Sequence, residues 1–366
     1  MVLQSAVVGA GNSAVNGHLP ALQRNPSTEL VAVCDLDESR AREAADEFDT
    51  DWYADFDALL AEEDLDWLHI CTPVQTHFDL AYATIEQGIH TLVQKPVTQS
   101  VAEMEDLLSL ANEHDVSVSA VHNRAFFPVM RELRKEIESG GFGEVVAVNT
   151  ILAGEGRPDE TPRGSWVFDL PGGELEEGFP HPIYLTLMTG GYPAAEGDIR
   201  SISRCRDTYD KDIDYDGVTV SYESERGALC SITVLSESVP RDVIRVYGTN
   251  KSATVDLNAM IYVDHEKDSE SPVTAMADSA STSLQMVAGI LKNGLSFGRM
   301  LGENRLDRHT DDSVSGTYYQ INETARAIED GTEQPVPPAQ ALWTMKLMRA
   351  IRETVTNDSI DASPTT

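Results

Sequence analysis

The chain has 366 residues, of which 61 are acidic and 27 basic, so its formal net charge at pH 7 is −34. This length is enough for two domains of ordinary size. None of its apolar runs reaches the roughly 18 residues that a transmembrane helix needs, and the large excess of acids excludes the basic face that nucleic-acid binding requires.

A charge this negative suits either a strongly basic partner or a protein that stays dissolved in very high salt. The acids are spread along the whole chain, and arginine outnumbers lysine by 20 to 7. We therefore favour a salt-adapted surface and a halophilic source. The first residues carry no basic segment of the signal-peptide type, which predicts a cytoplasmic protein. The four cysteines show no CxxC spacing, so we expect neither disulfides nor a metal site.

The first 122 residues alternate short apolar runs with amphipathic stretches. We predict strands over residues 3–9, 30–35, 66–73, 89–96 and 116–123, and helices around 14–24, 38–47, 75–87 and 100–114. Ser100 and Glu103 form a capping-box pattern, and Gly88 stands where a helix should end. Strands that alternate with helices predict βαβ units and a parallel sheet covered on both faces.

A glycine-rich turn follows the first predicted strand. The stretch VVGAGNSA places Gly9, Gly11 and Ala14 as GxGxxA at the start of a helix. Gly9 would allow the tight turn, Gly11 the approach of a pyrophosphate, and Ala14 close packing of helix on sheet. The helix N-terminus, with Asn12 and Ser13, would then face the phosphates of a dinucleotide. The alternative is an ordinary glycine turn.

The second predicted strand ends at Asp35, about twenty residues beyond the glycines. A carboxylate there can accept hydrogen bonds from both hydroxyls of the adenosine ribose and would repel a 2′-phosphate. The pattern favours NAD over NADP, although Arg40 lies close enough in sequence to soften the preference.

Two further stretches, CTPVQTH and LVQKP, lie at the carboxyl ends of predicted parallel strands, where open α/β sheets bind ligands. Thr72, Pro73 and His77 are therefore expected near the cofactor. For His77, exposure to solvent in the first turn of a helix is an equal alternative. Lys95 is the first lysine of the chain and stands directly before Pro96, a pair for which a cis peptide bond is one option.

The pattern changes after residue 123. A helix over 128–139 precedes six strand candidates, most of which alternate polar and apolar residues, as in an antiparallel sheet with one wet face. Helices around 314–329 and 338–354 and a disordered tail over about 357–366 close the chain. We predict an α/β protein with a dinucleotide-binding domain (residues 1–122) and an α+β domain with a large, mostly antiparallel open sheet (residues 123–366).

Several stretches together resemble the Gfo/Idh/MocA oxidoreductase family, over nearly the whole chain. They are GAGNSAVNGHLPAL, QKPVTQS, RAFFPVMRELRKEIESGGFGEVVAV, PGGELEEGFPHPIY, YGTNKSATVDL and the closing helices. QKP is similar to the family's EKP motif, and PGGELEEGFPHPIY to its GGxLxDxGxHxxD segment. The resemblance implies a Rossmann domain that binds NAD or NADP.

The same resemblance assigns catalytic roles. Lys95 would lie against the nicotinamide and the reacting hydroxyl, His181 would act as general base, and Glu177 would orient His181 or stabilise its charged form. Lys95 and His181, from different domains, would converge on one carbon. Gln94, which replaces the motif glutamate, would still accept from a ribose hydroxyl. Glu177 for aspartate and Tyr184 for a final aspartate are further departures, and they leave the substrate open.

Family members mostly act on sugars, inositols or nucleotide sugars. Asn123, Arg124, Trp166 and Tyr184 are the candidate substrate-binding residues, and Arg157 or Arg163 could bind a carboxylate or phosphate. Each of these can also be an ordinary structural or surface residue. We expect a dehydrogenase of a secondary alcohol that works as a homodimer or homotetramer through the second-domain sheet. The alternatives are an NAD-dependent glycosidase with transient redox, and a non-catalytic dinucleotide sensor or scaffold.

Overall fold

The computed structural model describes residues 2–266, 283–289 and 315–361. By packing, the chain divides into two compact units. The first contains Met1–Phe126 and Asp311–Met345, and the second Phe127–Thr310 and Lys346–Thr366. The sequence-based domain boundary at 122 and 123 stays a prediction. In the described ranges, no helix combines the length and apolar character that crossing a membrane requires.

The first unit contains a six-stranded parallel sheet of strand order β3-β2-β1-β4-β5-β6, which is the order of dinucleotide-binding folds. Its strands are β1 (Leu3–Val8), β2 (Thr28–Cys34), β3 (Asp51–Tyr53), β4 (Trp67–Ile70), β5 (His90–Val93) and β6 (Val118–Ala120). All four residues of β4 are buried, as expected of a strand in a parallel sheet covered on both faces. The predicted parallel sheet is confirmed.

Five helices connect these strands: α1 (Leu19–Arg24), α2 (Glu38–Phe48), α3 (Phe56–Glu62), α4 (His77–Glu86) and α5 (Val101–Glu113). The capping box at the start of α5 is present as predicted, with Ser100 accepting from the Glu103 amide. Gly88 ends the α4 segment with φ +75°. Strand β3 and helix α3 are absent from our predictions. The three residues of β3 are too few to show an alternating pattern.

The second unit contains a seven-stranded sheet of order β13-β12-β11-β7-β10-β9-β8. Its strands are β7 (Val145–Ala153), β8 (Arg200–Arg204), β9 (Gly217–Glu223), β10 (Leu229–Leu235), β11 (Arg241–Gly248), β12 (Lys251–Asp256) and β13 (Ile261–Glu266). The β7–β10 pair is parallel and the others are antiparallel. This mostly antiparallel sheet is the one predicted, although β13 was missed.

The second unit also contains α6 (Pro128–Glu138), α7 (Gly173–Gly178) and α8 (Pro180–Gly190). Helix α8 packs on β7 and β10 and is buried at nearly every position. Strand β9 alternates between buried and exposed residues after its first two positions, so one sheet face packs on helices while the other meets solvent.

The remaining helices are α9 (residues 283–289), α10 (Gly316–Asp330) and α11 (Pro338–Asp361). Helix α10 belongs to the first unit, where Ile321 and Ala325 join the hydrophobic core around β1. Gln320 ties this helix to the edge of the parallel sheet, because its side chain donates to the Ala120 carbonyl and accepts from the His122 amide. Helix α11 continues past residue 357, where we placed the start of a disordered tail, and residues 362–366 lie outside the described part.

Candidate active site

The glycine turn after β1 has the conformation that the GxGxxA motif demands. Gly9 has φ +93°, and a Cβ at this position would lie 2.8 Å from the carbonyl carbon and oxygen of Cys71. Both constraints exclude a larger residue. Around Gly11, by contrast, a Cβ would meet nothing within 4 Å, so this stretch of backbone is open to a ligand. Ala14 is fully buried, as close packing of helix and sheet requires.

The segment after these glycines is more irregular than the predicted helix over 14–24. Ala14–His18 form a π-helical turn, and α1 begins only at Leu19. Asn12 and Ser13 stand exposed just before this turn. The Asn12 side chain accepts from Asn16, and the Ser13 side chain makes no capping hydrogen bond. Both side chains border the open backbone at Gly11, where phosphate binding is predicted.

Asp35, at the end of β2, holds the glycine turn in place. One carboxylate oxygen accepts from the Ala10 amide at 2.7 Å, and the other accepts from the Asp37 amide at 2.9 Å. The side chain is half-buried. Since a carboxylate offers about four acceptor positions, acceptor capacity remains for ribose hydroxyls. Sequence reasoning missed the contact with Ala10, which joins the two parts of the predicted cofactor site.

His77 lies in the interior, so the solvent-exposed alternative for this residue was wrong. Its ring is 1% exposed, with Nδ1 2.9 Å from the Pro96 carbonyl oxygen and Nε2 2.8 Å from the Thr72 carbonyl oxygen. Burial lowers the pKa of His77, although the hydrogen bonds to backbone oppose the shift. The ring thereby links the loop that carries Thr72 and Pro73 to the segment that carries Lys95.

Lys95 and Gln94 follow β5, and both side chains are half-buried. The Lys95–Pro96 peptide bond is cis. The Gln94 side chain reaches inward to His18, with Nε2 of Gln94 2.9 Å from Nε2 of His18. Its carboxamide oxygen lies 3.4 Å from the Lys95 amide nitrogen. Gln94 therefore contacts a buried histidine that our sequence reasoning did not single out.

Asn123 and Arg124 lie in a 3₁₀ turn over Asn123–Phe126, still within the first unit. Both are half-buried. The Asn123 side-chain amide is 3.4 Å from the hydroxyl of Thr317, which lies in the first turn of α10. Their predicted contact with substrate stays a prediction.

In the second unit, His181 is 8% exposed and Tyr184 is fully buried. They stand one helical turn apart on α8, and His181 Nδ1 lies 2.8 Å from the Tyr184 hydroxyl. The two rings meet edge to face. Tyr184 was predicted to bind substrate. The structure places its hydroxyl against His181 Nδ1, and its contact with substrate stays a prediction.

Glu177, on α7, is paired with Arg163. The Glu177 side chain is 6% exposed and lies 3.2 Å from the Arg163 guanidinium, which also contacts Glu174 at 3.0 Å. These carboxylates already neutralise Arg163, the residue we considered for a substrate carboxylate or phosphate. Arg157 is likewise surrounded by Asp159, Glu237 and Asp207. Trp166 is half-buried in a 3₁₀ turn over Ser165–Asp169.

A second acid on α7, Glu176, was missed by sequence reasoning. Its side chain has no exposed surface and accepts from the Gly172 amide, the Tyr215 hydroxyl and the Arg352 guanidinium at 2.5 to 2.9 Å. These three hydrogen bonds and the ion pair with Arg352 compensate the buried charge, and the pair ties α7 to α11. The only hint in the sequence is the run of acids at the start of α7.

Residues 3–122 match the sequence model described as the oxidoreductase family, NAD-binding Rossmann fold. Residues 130–254 match that of the GFO/IDH/MocA C-terminal domain. The uncharacterised oxidoreductase YhhX of Escherichia coli is 30% identical over 151 residues, which are 41% of this chain and 44% of that protein. A dTDP-3,4-didehydro-2,6-dideoxy-alpha-D-glucose 3-reductase of Streptomyces violaceoruber is 28% identical, over 69% of this chain and 72% of the relative.

Two further matches cover most of the chain. The D-xylose 1-dehydrogenase (NADP(+)) 2 of Haloferax volcanii is 25% identical over 88% of this chain and 98% of its own. Among solved structures, an oxidoreductase from Agrobacterium radiobacter in complex with NAD+, L-tartaric acid and magnesium superposes with a TM-score of 0.77. That superposition covers 98% of this chain and 97% of the other at 17% identity, and it supports the fold assignment.

Proposed function

Because the chain belongs to the Gfo/Idh/MocA family of NAD-binding oxidoreductases, we propose that it oxidises a secondary hydroxyl of a sugar, cyclitol or sugar derivative. The observation that carries this proposal is the pairing of His181 with the Tyr184 hydroxyl at 2.8 Å. This contact gives the second unit an oriented imidazole, the side chain best suited to accept a proton near neutral pH.

The residues around Gly9 and Gly11 fit a dinucleotide. The open backbone at Gly11 would take the pyrophosphate, and Asp35 has acceptor positions for the ribose hydroxyls. When bound, NAD supplies the hydride acceptor. A carboxylate at position 35 disfavours the 2′-phosphate of NADP, so NAD is the proposed cofactor, with NADP as the weaker alternative.

Lys95 and His181 are the proposed catalytic residues, with the roles that the family resemblance implies. His181 is the proposed general base, and the contact of Tyr184 with Nδ1 holds the orientation of its ring. The Lys95 ammonium is proposed to stabilise developing negative charge. Glu177 pairs with Arg163 at 3.2 Å, and orienting His181 or stabilising its charged form is its proposed role.

Two relatives support the substrate class. The Streptomyces violaceoruber reductase acts on a nucleotide-linked sugar and the Haloferax volcanii enzyme on D-xylose, as their names state. A sugar or sugar derivative is therefore the substrate class to test first, in molar salt.

The test is an assay of purified protein in about 2 M KCl with a panel of pentoses, hexoses, inositols and nucleotide sugars. NADH or NADPH formation is followed at 340 nm, and thermal shifts with each cofactor are measured separately. We expect NAD to raise the melting temperature and at least one sugar to give NADH. Cofactor binding without net NADH, but with release of an aglycone, would favour the glycosidase alternative. No melting shift with either cofactor would refute the proposal.

We also propose that the protein assembles as a homodimer or homotetramer through the solvent face of the second-unit sheet. That face exposes large apolar side chains on several strands: Ile151, Ile202, Leu229 and Tyr247. Light scattering after size exclusion in molar KCl should give a mass of two or four chains. Ile151→Asp with Leu229→Asp should give single chains, and a monomeric wild-type protein would contradict the assembly.

A further inference from the structure

A chain of three polar side chains runs through the core of the first unit. His18 ends the π-helical turn, His69 lies in β4, and Gln94 follows β5. His18 Nδ1 is 2.8 Å from His69 Nδ1, and His18 Nε2 is 2.9 Å from the Gln94 side-chain nitrogen. Both imidazoles have no exposed surface. The dehydrogenase reaction proposed above uses neither ring.

The contacts constrain where the protons lie. Only one proton can occupy the hydrogen bond that joins the two Nδ1 atoms. If the Gln94 nitrogen donates to His18 Nε2, then His18 carries its proton on Nδ1 and donates it to His69. His69 must then carry its own proton on Nε2, an atom without a hydrogen-bond partner among the described residues. The same orientation of Gln94 turns its carboxamide oxygen towards the Lys95 amide, 3.4 Å away.

The surroundings favour uncharged rings. Burial lowers the pKa of His18 to about 4, and burial together with the neighbouring His18 ring lowers the pKa of His69 well below its usual value. The Trp67 ring lies against His69 with the ring centroids 4.2 Å apart, and Cys71 packs against the hydrophobic core of the same unit. Burial raises the pKa of the Cys71 thiol, so it does not supply a counter-charge for an imidazolium.

We infer that His18 and His69 are positioning residues, which form an uncharged relay that fixes the orientation of the Gln94 carboxamide. With its nitrogen held by His18, Gln94 presents its oxygen to the Lys95 amide at the proposed reactive end of the cofactor site. This inference rests on the proposed function for its effect on cofactor binding, but the relay itself is a property of the folded chain. A glutamate at position 94 could only accept and would demand the opposite proton position on His18.

The first experiment is long-range ¹H–¹⁵N NMR of protein labelled at histidine, between pH 5.5 and 8.5 in molar KCl. Signals are assigned from His18→Gln and His69→Gln variants. We expect His18 protonated on Nδ1 and His69 on Nε2, with neither ring titrating in this range. An imidazolium at either position, or a proton on His18 Nε2, would overturn the relay. The measurement does not depend on enzymatic activity.

The second experiment compares Gln94→Glu with Gln87→Glu, which adds the same charge at an exposed position of the same unit. Gln94→Glu should move the His18 proton to Nε2 and bring a histidine titration into the measured range. Gln87→Glu should leave the His18 and His69 signals unchanged. If Gln94→Glu also leaves both signals unchanged, the carboxamide is not coupled to the rings and the inference fails.

The third experiment measures NADH binding by fluorescence. We expect the dissociation constant for NADH to rise about fivefold in Gln94→Glu and in His18→Leu, because each change removes one hydrogen bond. His18→Gln retains an acceptor near the Nε2 position and should recover at least half of that loss. Equal binding by His18→Leu and wild type would refute the positioning role. If wild type itself does not bind NADH, the proposed function fails, while the NMR result still decides whether the relay exists.

Discussion

The Tyr184 hydroxyl lies 2.8 Å from His181 Nδ1, one helical turn away on α8. The tyrosine is fully buried and its partner nearly so, so this hydrogen bond forms away from bulk water and is costly to leave unmade. It stands where a carboxylate is expected from the family pattern. A phenol in that place orients the imidazole without adding a negative charge beside it.

Replacing Tyr184 with phenylalanine should lower kcat/KM by about fivefold, since it removes one neutral hydrogen bond of about 1 kcal/mol. The pH at which activity is half-maximal should shift as well, because Nδ1 loses its partner. Tyr222→Phe is the matched control, as it removes a buried hydroxyl bonded to the Gly191 carbonyl. A pH profile of Tyr184→Phe identical to that of Tyr222→Phe would argue against an orienting role.

Alanine substitutions in the glycine turn should separate folding from cofactor binding. Gly9→Ala places a Cβ against the Cys71 carbonyl at φ +93° and should lower the free energy of unfolding by about 1–3 kcal/mol. Gly11→Ala meets open space, so it should keep its stability and yet weaken NADH binding more than tenfold. Denaturant unfolding and NADH titration measure the two effects. If Gly9→Ala and Gly11→Ala lose the same stability, the interpretation that only Gly9 is sterically constrained is wrong.

Asp35→Asn should raise the use of NADP relative to NAD by about tenfold, because it removes the charge that repels a 2′-phosphate. An asparagine keeps one acceptor for the Ala10 amide, so the turn should survive. Asp37→Asn removes the same charge two residues away and preserves the cap of α2, where Asp37 accepts from the Ser39 and Arg40 amides. The ratio of the kcat/KM values for NADP and NAD, measured for each variant, tests whether Asp35 sets the cofactor preference. An unchanged ratio in Asp35→Asn would remove Asp35 from cofactor selection.

Acid should destabilise the protein through buried neutral histidines. Burial lowers the pKa of His122 to about 3, against about 6.5 in an unfolded chain. Because the folded-state pKa is depressed, the contribution of this base is fully present above about pH 6.5 and is lost as the pH falls towards 3. His122→Asn keeps an acceptor for Gln340, which is 3.0 Å from His122 Nδ1.

His122→Asn should therefore make the free energy of unfolding less dependent on pH. Its slope between pH 6 and 4 should fall by about 1.4 kcal/mol per pH unit. Urea titrations in molar KCl measure it, with the charge repulsion screened. His114→Asn is the exposed control, and its slope should equal that of wild type. The same slope for all three proteins would show that His122 is not held neutral in the folded state.

Arg352→Met should cost about 3–5 kcal/mol of stability, since it leaves the fully buried Glu176 carboxylate without its cation. Arg241→Met removes an exposed partner of Asp256 and should cost less than about 1 kcal/mol. Adding Glu176→Gln to Arg352→Met should recover part of the loss. Equal costs for the two arginine variants would mean that the pair of Arg352 with Glu176 does not stabilise the folded protein.

Local pattern was sufficient to predict the fold class of both units. The alternation of apolar runs and helices over residues 3–120 follows from side-chain periodicity, which a strand or helix imposes on its own sequence. The same holds for the GxGxxA turn, the Ser100 capping box and most strands of the second sheet. Strand β3 was missed because its three residues are too few to show a pattern, and β13 was missed although it has six residues.

The partners of polar side chains were decided by the tertiary structure. Nothing near His77 in sequence predicts that its ring joins the Thr72 and Pro96 carbonyls, and nothing near Glu176 predicts Arg352 on α11. The His18–His69 contact likewise spans 51 positions of the chain. Periodicity determines which residues are buried, because burial depends on the local spacing of apolar side chains. Which buried donor meets which acceptor depends on how distant elements pack, and that information resides in the folded chain as a whole.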